Sequence, residues 1–241
     1  MKQIIKLVLL VLFMLLPGSM SAKVYLVAVG ISDYPGSIND LNLCADDARD
    51  LAKLYKQNNL AETILFCDKK ATTTAVKQAM NSLFAKAKAN DIVVLYYSGH
   101  GEKKGLCLYD KTLTFKEIMK IYDKLKCKNK MIFSDSCFSG SIRSQATMQE
   151  SDVELTNNVM FFMGSRSNEY SIENGSDFTN SYFTHALIRA LSGKADSNRD
   201  RTISAKELFT YVSKHVRDYS DDQQHPVMWG HFSDNMPVMK W

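Results

Sequence analysis

The sequence DIVVLYYSGHG, residues 91–101, contains the clearest strand of the chain and ends in an abrupt turn. Its first seven residues are almost wholly apolar, which is typical of a strand that is covered on both faces of a sheet. Two glycines then flank a histidine, and they allow the backbone to turn sharply and to approach a ligand closely. This stretch predicts a buried strand that presents His100 at its carboxyl end.

A second strand end of the same kind lies at residues 130–140, KMIFSDSCFSG. The apolar run 130–134 predicts a strand, and Asp135 and Cys137 follow it. Because ligands bind at the carboxyl ends of parallel strands, we expect His100 and Cys137 to lie at one edge of a sheet. A reactive thiol and an imidazole that shuttles a proton are the groups of nucleophilic catalysis. Either residue alone would more often be structural, whereas the pair favours catalysis.

The rest of the chain alternates between short apolar runs and amphipathic segments. Further strands are predicted at residues 24–31, 63–67 and 158–164, and helices at 43–57, 73–89, 114–124, 181–191 and 204–216. This alternation predicts an α/β domain with a mainly parallel central sheet and helices on both faces, a three-layer α/β/α architecture. The polar stretch 140–157 is predicted to be a long exposed loop.

The composition is that of a globular domain, with 45% hydrophobic and 23% charged residues among 241. No block of like charges stands out, so nothing favours a nucleic-acid partner. The first 22 residues have the pattern of a secretory signal peptide: two lysines, an apolar run at 7–16 and then small residues. We expect cleavage after Ser21 or Ala22, an exported domain at 23–241 in the periplasm or outside the cell, and no stable membrane span afterwards. An uncleaved amino-terminal anchor is the alternative.

The chain contains five cysteines, an odd number for an exported protein. At least one of them must then be free or paired between chains, and that thiol is a candidate reactive group. The spacing does not resemble a zinc site, so no structural metal is predicted. Pairing among the other four stays open. The five cysteines are Cys44, Cys67, Cys107, Cys127 and Cys137.

Residues 96–101 and 135–140 resemble the paired His and Cys motifs of metacaspases and related bacterial caspase-like peptidases. The resemblance extends to residues 24–34, 41–48 (LNLCADDA), 165–169 and 182–187. The local sequence is not the Gln-Ala-Cys signature of animal caspases. The chain departs from many metacaspases at Phe138, where those proteins have a histidine.

The resemblance implies a caspase-like fold and a cysteine endopeptidase that requires no cofactor. It implies that His100 is the acid/base and Cys137 the nucleophile, with the backbone N–H groups of Gly101 and Cys137 holding the oxyanion. The positions that match the metacaspase pocket for the residue before the scissile bond are Cys44, Asp47, Ser98 and Asp135.

Two carboxylates in that pocket, Asp47 and Asp135, predict protein or peptide substrates that are cleaved after Arg or Lys, because a cation would satisfy both acids. The alternative is that both are ordinary turn or capping residues.

Two other functions stay open, a catalytically silent caspase-like binding or signalling module and a same-fold cysteine peptidase of different specificity. Arg143, in the polar loop, is a candidate site of self-cleavage.

Residues 196–207 have oxygen-bearing side chains at the spacing of an EF-hand calcium loop. The sixth position is Arg201, where that loop normally has glycine. A simpler interpretation is that Ser204 and Glu207 form a capping box at the start of a helix. Calcium therefore stands beside structural capping as an alternative for this segment.

Overall fold

A six-stranded sheet forms the centre of the molecule. The computed structural model describes residues 22–102, 104–136, 158–166, 169, 172 and 178–240. The strands within these ranges are β1 (Val24–Gly30), β2 (Ala61–Cys67), β3 (Ile92–Ser98), β4 (Gly101–Glu102), β5 (Gly105–Cys107), β6 (Thr112–Thr114), β7 (Asn129–Asp135), β8 (Val159–Met163), β9 (Thr202–Ser204), β10 (Val227–Gly230) and β11 (Pro237–Lys240). The central sheet has the order β10-β8-β7-β3-β1-β2, in which β10 is antiparallel to β8 and all other pairs are parallel.

Helices pack on both faces of this sheet. The described α-helices are α1 (Cys44–Gln57), α2 (Thr73–Phe84), α3 (Phe115–Tyr122), α4 (Tyr182–Arg189) and α5 (Ala205–Tyr219). Alternate residues of β1 enter two separate cores, one shared with α1, α4 and α5 and the other with α2 and α3. The expected three-layer α/β/α architecture with a mainly parallel sheet is confirmed.

Side-chain caps begin four of the helices. Thr72 caps α2, Thr114 caps α3, Ser181 caps α4 and Ser204 caps α5. Each hydroxyl accepts a hydrogen bond from a backbone N–H in the first turn, which satisfies a donor that the helix itself leaves unpaired. The predicted capping box of Ser204 and Glu207 is confirmed.

Some predicted boundaries were wrong. The helix predicted at 73–89 ends at Phe84, because the chain turns there and the N–H of Lys88 binds the carboxylate of Asp91. The small sheet β4-β5-β6 and the pair β9-β11 were not predicted, since strands of two to four residues are too short to show a period.

The edge strand β10 was also missed. It pairs with β8, and the ring of Trp229 stacks on that of Phe161 with 4.2 Å between their centroids.

Among the described residues, no helix is both long and apolar enough to cross a membrane. Residues 1–21 of the predicted leader 1–22 and the whole of the predicted loop 140–157 lie outside the described residues.

Candidate active site

His100 lies at the carboxyl edge of the central sheet, directly beyond β3. The last residue of β3, Ser98, is in register with Gly30 of β1 on one side and with Asp135 of β7 on the other. The N–H of Gly99 donates to the carbonyl oxygen of Asp135 at 3.2 Å. The histidine therefore leaves the sheet beside the end of the strand that leads to Cys137, which itself lies outside the described residues.

Two tyrosine hydroxyls hold the backbone of His100. Tyr34 Oη accepts a hydrogen bond from His100 N at 2.9 Å, and Tyr97 Oη donates to His100 O at 2.6 Å. Both hydroxyls pack against Gly99, where an added Cβ would lie 2.6 Å from each of them. Burial raises the pKa of Tyr34 and of Tyr97, so both hydroxyls are neutral at physiological pH.

The imidazole of His100 is positioned by the loop that follows β1. Its Nε2 lies 2.8 Å from the carbonyl oxygen of Asn39, and its ring centroid lies 4.9 Å from that of Tyr34. Within the loop, Asp40 Oδ1 accepts a hydrogen bond from Tyr34 N at 3.0 Å. The same short loop thus contacts the histidine backbone, the face of its ring and one ring nitrogen.

The first turn of α1 places two further candidate residues, Cys44 and Asp47, beside this edge. Helix and sheet approach closely here because β1 ends in a glycine: a Cβ at Gly30 would lie 2.6 Å from Cβ of Ala48. Ser32 Oγ accepts from Ala45 N at 2.9 Å, which satisfies a donor of the first helical turn. Both candidate side chains are buried.

The two candidate pocket acids are joined by the start of α4. Asp47 accepts hydrogen bonds from Ser98 Oγ and from Ser181 N, each at 3.0 Å. Asp135 Oδ2 accepts from Ser181 Oγ and, at 2.8 Å, from Thr184 Oγ1. Asp47 is fully buried, and only 3% of the surface of Asp135 is exposed. The structure therefore brings Asp47, Ser98 and Asp135 into one buried network.

Burial and the neighbouring charge change the proton affinity of this network. Burial raises the pKa of Asp47 well above its ordinary value, and the charge of Asp135 raises it further. Burial also raises the pKa of Tyr96, whose hydroxyl lies 2.6 Å from Thr184 Oγ1. Tyr96 therefore stays neutral and can donate to Thr184, which in turn donates to Asp135.

Several residues of this edge were not identified from the sequence. Ser181 and Thr184 were assigned only to a helix, Tyr34 only to the segment 24–34, and Asn39 was not assigned. The signal available for Ser181 was its place before an amphipathic helix, which indicates a cap but not the acids it contacts. The predicted oxyanion residue Gly101 begins β4, immediately after His100.

The remaining cysteines form no disulfide among the described residues; they are Cys44, Cys67, Cys107 and Cys127. Burial raises the pKa of Cys127 to about 11, so this thiol is protonated and unreactive.

The segment with EF-hand spacing is an ordered loop before α5. Its carboxylates bind backbone N–H groups: Asp196 accepts from Arg201 N at 3.0 Å, and Glu207 accepts from Ser204 N at 3.0 Å. Arg201 has a φ of 63°, the left-handed conformation that glycine would adopt more easily. No group of three or more His, Cys, Asp or Glu side chains within the described ranges is placed to hold a metal ion.

Comparison with known proteins agrees with this fold. The family model described as the caspase domain matches residues 23–236. A crystal structure of a protein from Geobacter sulfurreducens has a TM-score of 0.68 at 19% identity, over 90% of this chain and 97% of that one. Caspase-1 from Spodoptera frugiperda has a TM-score of 0.65 at 15% identity, over 90% of this chain and 89% of that one.

At these identities the two structures support the fold alone, and a search of curated proteins finds no match. The family model, however, spans most of the chain, from the start of β1 to the residue before β11. This chain therefore belongs to the caspase domain family of cysteine peptidases.

Proposed function

We propose that this protein is an exported cysteine endopeptidase that cleaves protein substrates after Arg or Lys, with His100 as acid/base and Cys137 as nucleophile. The observation that carries the proposal is the position of His100, whose imidazole is fixed at the carboxyl edge of the sheet beside the end of β7. Cys137 follows that strand end by two residues in the sequence.

The contact with Asn39 determines which nitrogen of His100 would act. A carbonyl oxygen can only accept, so Nε2 must carry a hydrogen to bond at 2.8 Å. In the neutral imidazole the lone pair is then on Nδ1. We assign Nδ1 as the atom that takes the proton of the Cys137 thiol and later donates it to the leaving amine.

Attack of the thiolate on the peptide carbonyl forms a tetrahedral oxyanion. The N–H groups of Gly101 and Cys137 are proposed to donate to it. Fixed donors of this kind stabilise the charge that develops in the transition state and often contribute the largest share of catalysis. Loss of the amine leaves a thioester, and water activated by His100 hydrolyses it.

The buried acids support the preference for basic residues. Asp47 has no ion-pair partner among the described residues, and it shares Ser181 with Asp135. A buried carboxylate without an ion-pair partner, such as Asp47, is costly, and a guanidinium or ammonium group would offset that cost through charge-assisted hydrogen bonds. A substrate with Arg or Lys before the scissile bond supplies such a group.

Hydrolysis of a peptide library by the purified protein tests the proposal. We expect cleavage after Arg and Lys, and a loss of kcat of at least about a hundredfold in His100→Ala and Cys137→Ala. His231→Ala, at an exposed position, and Cys67→Ala are the matched controls and should keep activity. Wild-type protein that hydrolyses no peptide would favour a silent binding module, and cleavage after other residues would favour a different specificity.

Self-cleavage and export need separate tests. If the enzyme cleaves after basic residues, Arg143 is the proposed internal site, and Arg143→Ala should stay intact where wild type is cut. An intact wild-type chain, identical to Cys137→Ala, would contradict this.

Amino-terminal sequencing of protein recovered outside the cytoplasm tests export, with Lys23 or Ala22 expected as the first residue.

A further inference from the structure

The first turn of α4 supplies different kinds of donor to the two buried acids. Asp135 Oδ2 receives two hydroxyl groups, from Ser181 and Thr184. The Thr184 hydroxyl can receive the hydrogen of Tyr96, and Ser181 Oγ accepts from Thr184 N at 3.4 Å. Both hydroxyls are thereby oriented to donate to Asp135, an arrangement that favours its anion.

Asp47 is held differently. Its Oδ1 accepts the fixed N–H of Ser181, and its other hydrogen bonds with described residues come from hydroxyls, that of Ser98 to Oδ2 at 3.0 Å and that of Ser181. A hydroxyl can rotate and accept, whereas an N–H cannot. If Oδ2 carries a proton, it can donate to the oxygen of Ser98. The geometry therefore allows a neutral Asp47 beside a charged Asp135.

Two buried carboxylates in contact with one serine repel each other when both are charged. Among the described residues, the titratable side chains near Asp47 are Asp135 on β7, Tyr96 on β3 and Cys44 on its own helix. Asp50, one turn further along α1, accepts from Asn180 Nδ2 at 3.2 Å. Within the described part of the chain, none of these groups is a cation.

We propose that Ser181 and Thr184 are specificity-determining residues. They hold Asp135 as the anion and leave one proton on Asp47. The basic side chain of a substrate displaces that proton when it binds. This inference rests on the proposed function, and it adds a proton exchange and two residues of α4 to that pocket. Burial and the charge of Asp135 both raise the pKa of Asp47, in agreement with a proton there in the free protein.

The exchange balances in charge. The free pair carries one negative charge and one proton. Binding of an Arg or Lys side chain adds one positive charge, and Asp47 releases its proton to solvent. An uncharged side chain of the same shape, such as citrulline, brings no positive charge and displaces no proton. Binding of basic substrates therefore strengthens as the pH rises, by up to about tenfold per pH unit below the pKa of the pair.

Calorimetric titration of the full-length Cys137→Ala protein tests this without cleavage. An Arg peptide and its citrulline analogue are titrated in two buffers with different ionisation enthalpies, which counts the protons exchanged. We expect about one proton to be released with the Arg peptide at a pH where Asp47 is protonated, and none with citrulline. Equal proton release with both peptides would overturn the inference.

Variants of α4 test the assigned roles in the active protein. Thr184→Val removes a hydroxyl donor from Asp135, so the pair should hold its proton more tightly and the pH profile of kcat/KM for Arg peptides should shift upward. Thr184→Ser keeps the hydroxyl and should restore the wild-type profile. Ser181→Ala should shift it in the same direction as Thr184→Val. Thr72→Ala, which removes the comparable cap of α2, should leave the profile unchanged.

The outcomes separate the two proposals. Cleavage after Arg or Lys with a pH profile that is the same in wild type, Thr184→Val and Ser181→Ala would overturn the roles of α4 and leave the proposed function standing. A wild-type protein that neither binds nor cleaves Arg and Lys peptides would overturn the proposed specificity and this inference together.

Discussion

The hydroxyl of Tyr34 accepts a hydrogen bond from the backbone N–H of His100, with 2.9 Å between the two atoms. Tyr34 lies just beyond β1 and His100 just beyond β3, so this contact joins the ends of two neighbouring strands. A tyrosine that fixes the backbone of a histidine also fixes the direction of its side chain. The contact therefore connects the packing of the sheet to the candidate chemistry.

Tyr34→Phe tests this connection. The variant keeps the ring and leaves the N–H of His100 without its acceptor, so the histidine loses one of the contacts that position it. We expect kcat to fall by up to about a hundredfold with little change in KM, as for a small misplacement of a reacting group. Tyr25→Phe, which removes a hydroxyl from a buried ring on the same side of β1, is the control. Equal kinetics in the two variants would contradict the positioning role.

Gly99→Ala should destabilise the turn that carries His100. The added methyl carbon would lie 2.6 Å from both Tyr34 Oη and Tyr97 Oη, so both rings or the turn itself must move. We expect the free energy of unfolding to fall by about 1–3 kcal/mol, the usual cost of overpacking. Gly36→Ala has a positive φ of 88° but meets no atom within 4 Å, so it isolates the backbone cost. Urea unfolding of both variants makes the measurement, and equal losses would count against steric conflict at Gly99.

Asp47→Asn should become more stable relative to wild type as the pH rises. Burial and Asp135 raise the pKa of Asp47 in the folded protein above its unfolded value of about 4. The stabilisation from its bound proton is complete below that unfolded value, and it is lost as the pH rises through the raised folded pKa. Asparagine cannot ionise, and Ser98 can rotate to accept from its amide.

Unfolding free energies of wild type and Asp47→Asn are compared from below the unfolded pKa of aspartate, about 4, to above the raised folded pKa of Asp47. Asp234→Asn, at an exposed position outside the network, is the control. A difference between Asp47→Asn and wild type that does not change with pH would show that Asp47 binds no extra proton in the folded state.

Ser204→Ala should lower the free energy of unfolding by about 1 kcal/mol, because it removes the cap of α5.

The structural interpretation of residues 196–207 also predicts that calcium produces no binding heat and no change in Tm. Burial raises the pKa of Glu207, but hydrogen bonds from Ser204 and Ser197 outweigh it and lower the pKa to about 2. Calcium binding that is lost in Glu207→Gln would instead support the EF-hand interpretation.

Four strands of the central sheet, β1, β3, β7 and β8, could be predicted because they are buried on both faces. A run such as residues 92–97 is apolar throughout, and abrupt turns mark its end. The same feature predicted that His100 lies at the carboxyl edge. By contrast, β10 has four half-buried residues, and its pairing with β8 depends on a partner more than sixty residues away in the sequence. Short strands of this kind carry no period of their own.

The contacts of the candidate site could not be derived from local pattern. Asp47 and Asp135 were identified by resemblance to a known family, but Ser181 meets them only because α4 packs against α1 across the end of the sheet. Tyr34 likewise lies 66 residues before the histidine it contacts. Such pairs result from tertiary packing, and a single sequence contains no local signal for them.

The position of β10 after β8 in the chain has a kinetic consequence. This strand, residues 227–230, covers the edge of β8, whose five residues are all apolar and buried. Until residues 227–230 have been synthesised, that edge has open backbone groups that can pair with other chains. The sheet should thus form slowly and only after β10 has been synthesised, because parallel strands require long loops to close before their contacts form. A ribosome-bound chain that stops at residue 226 should therefore aggregate when released, whereas one that extends through residue 241 should fold.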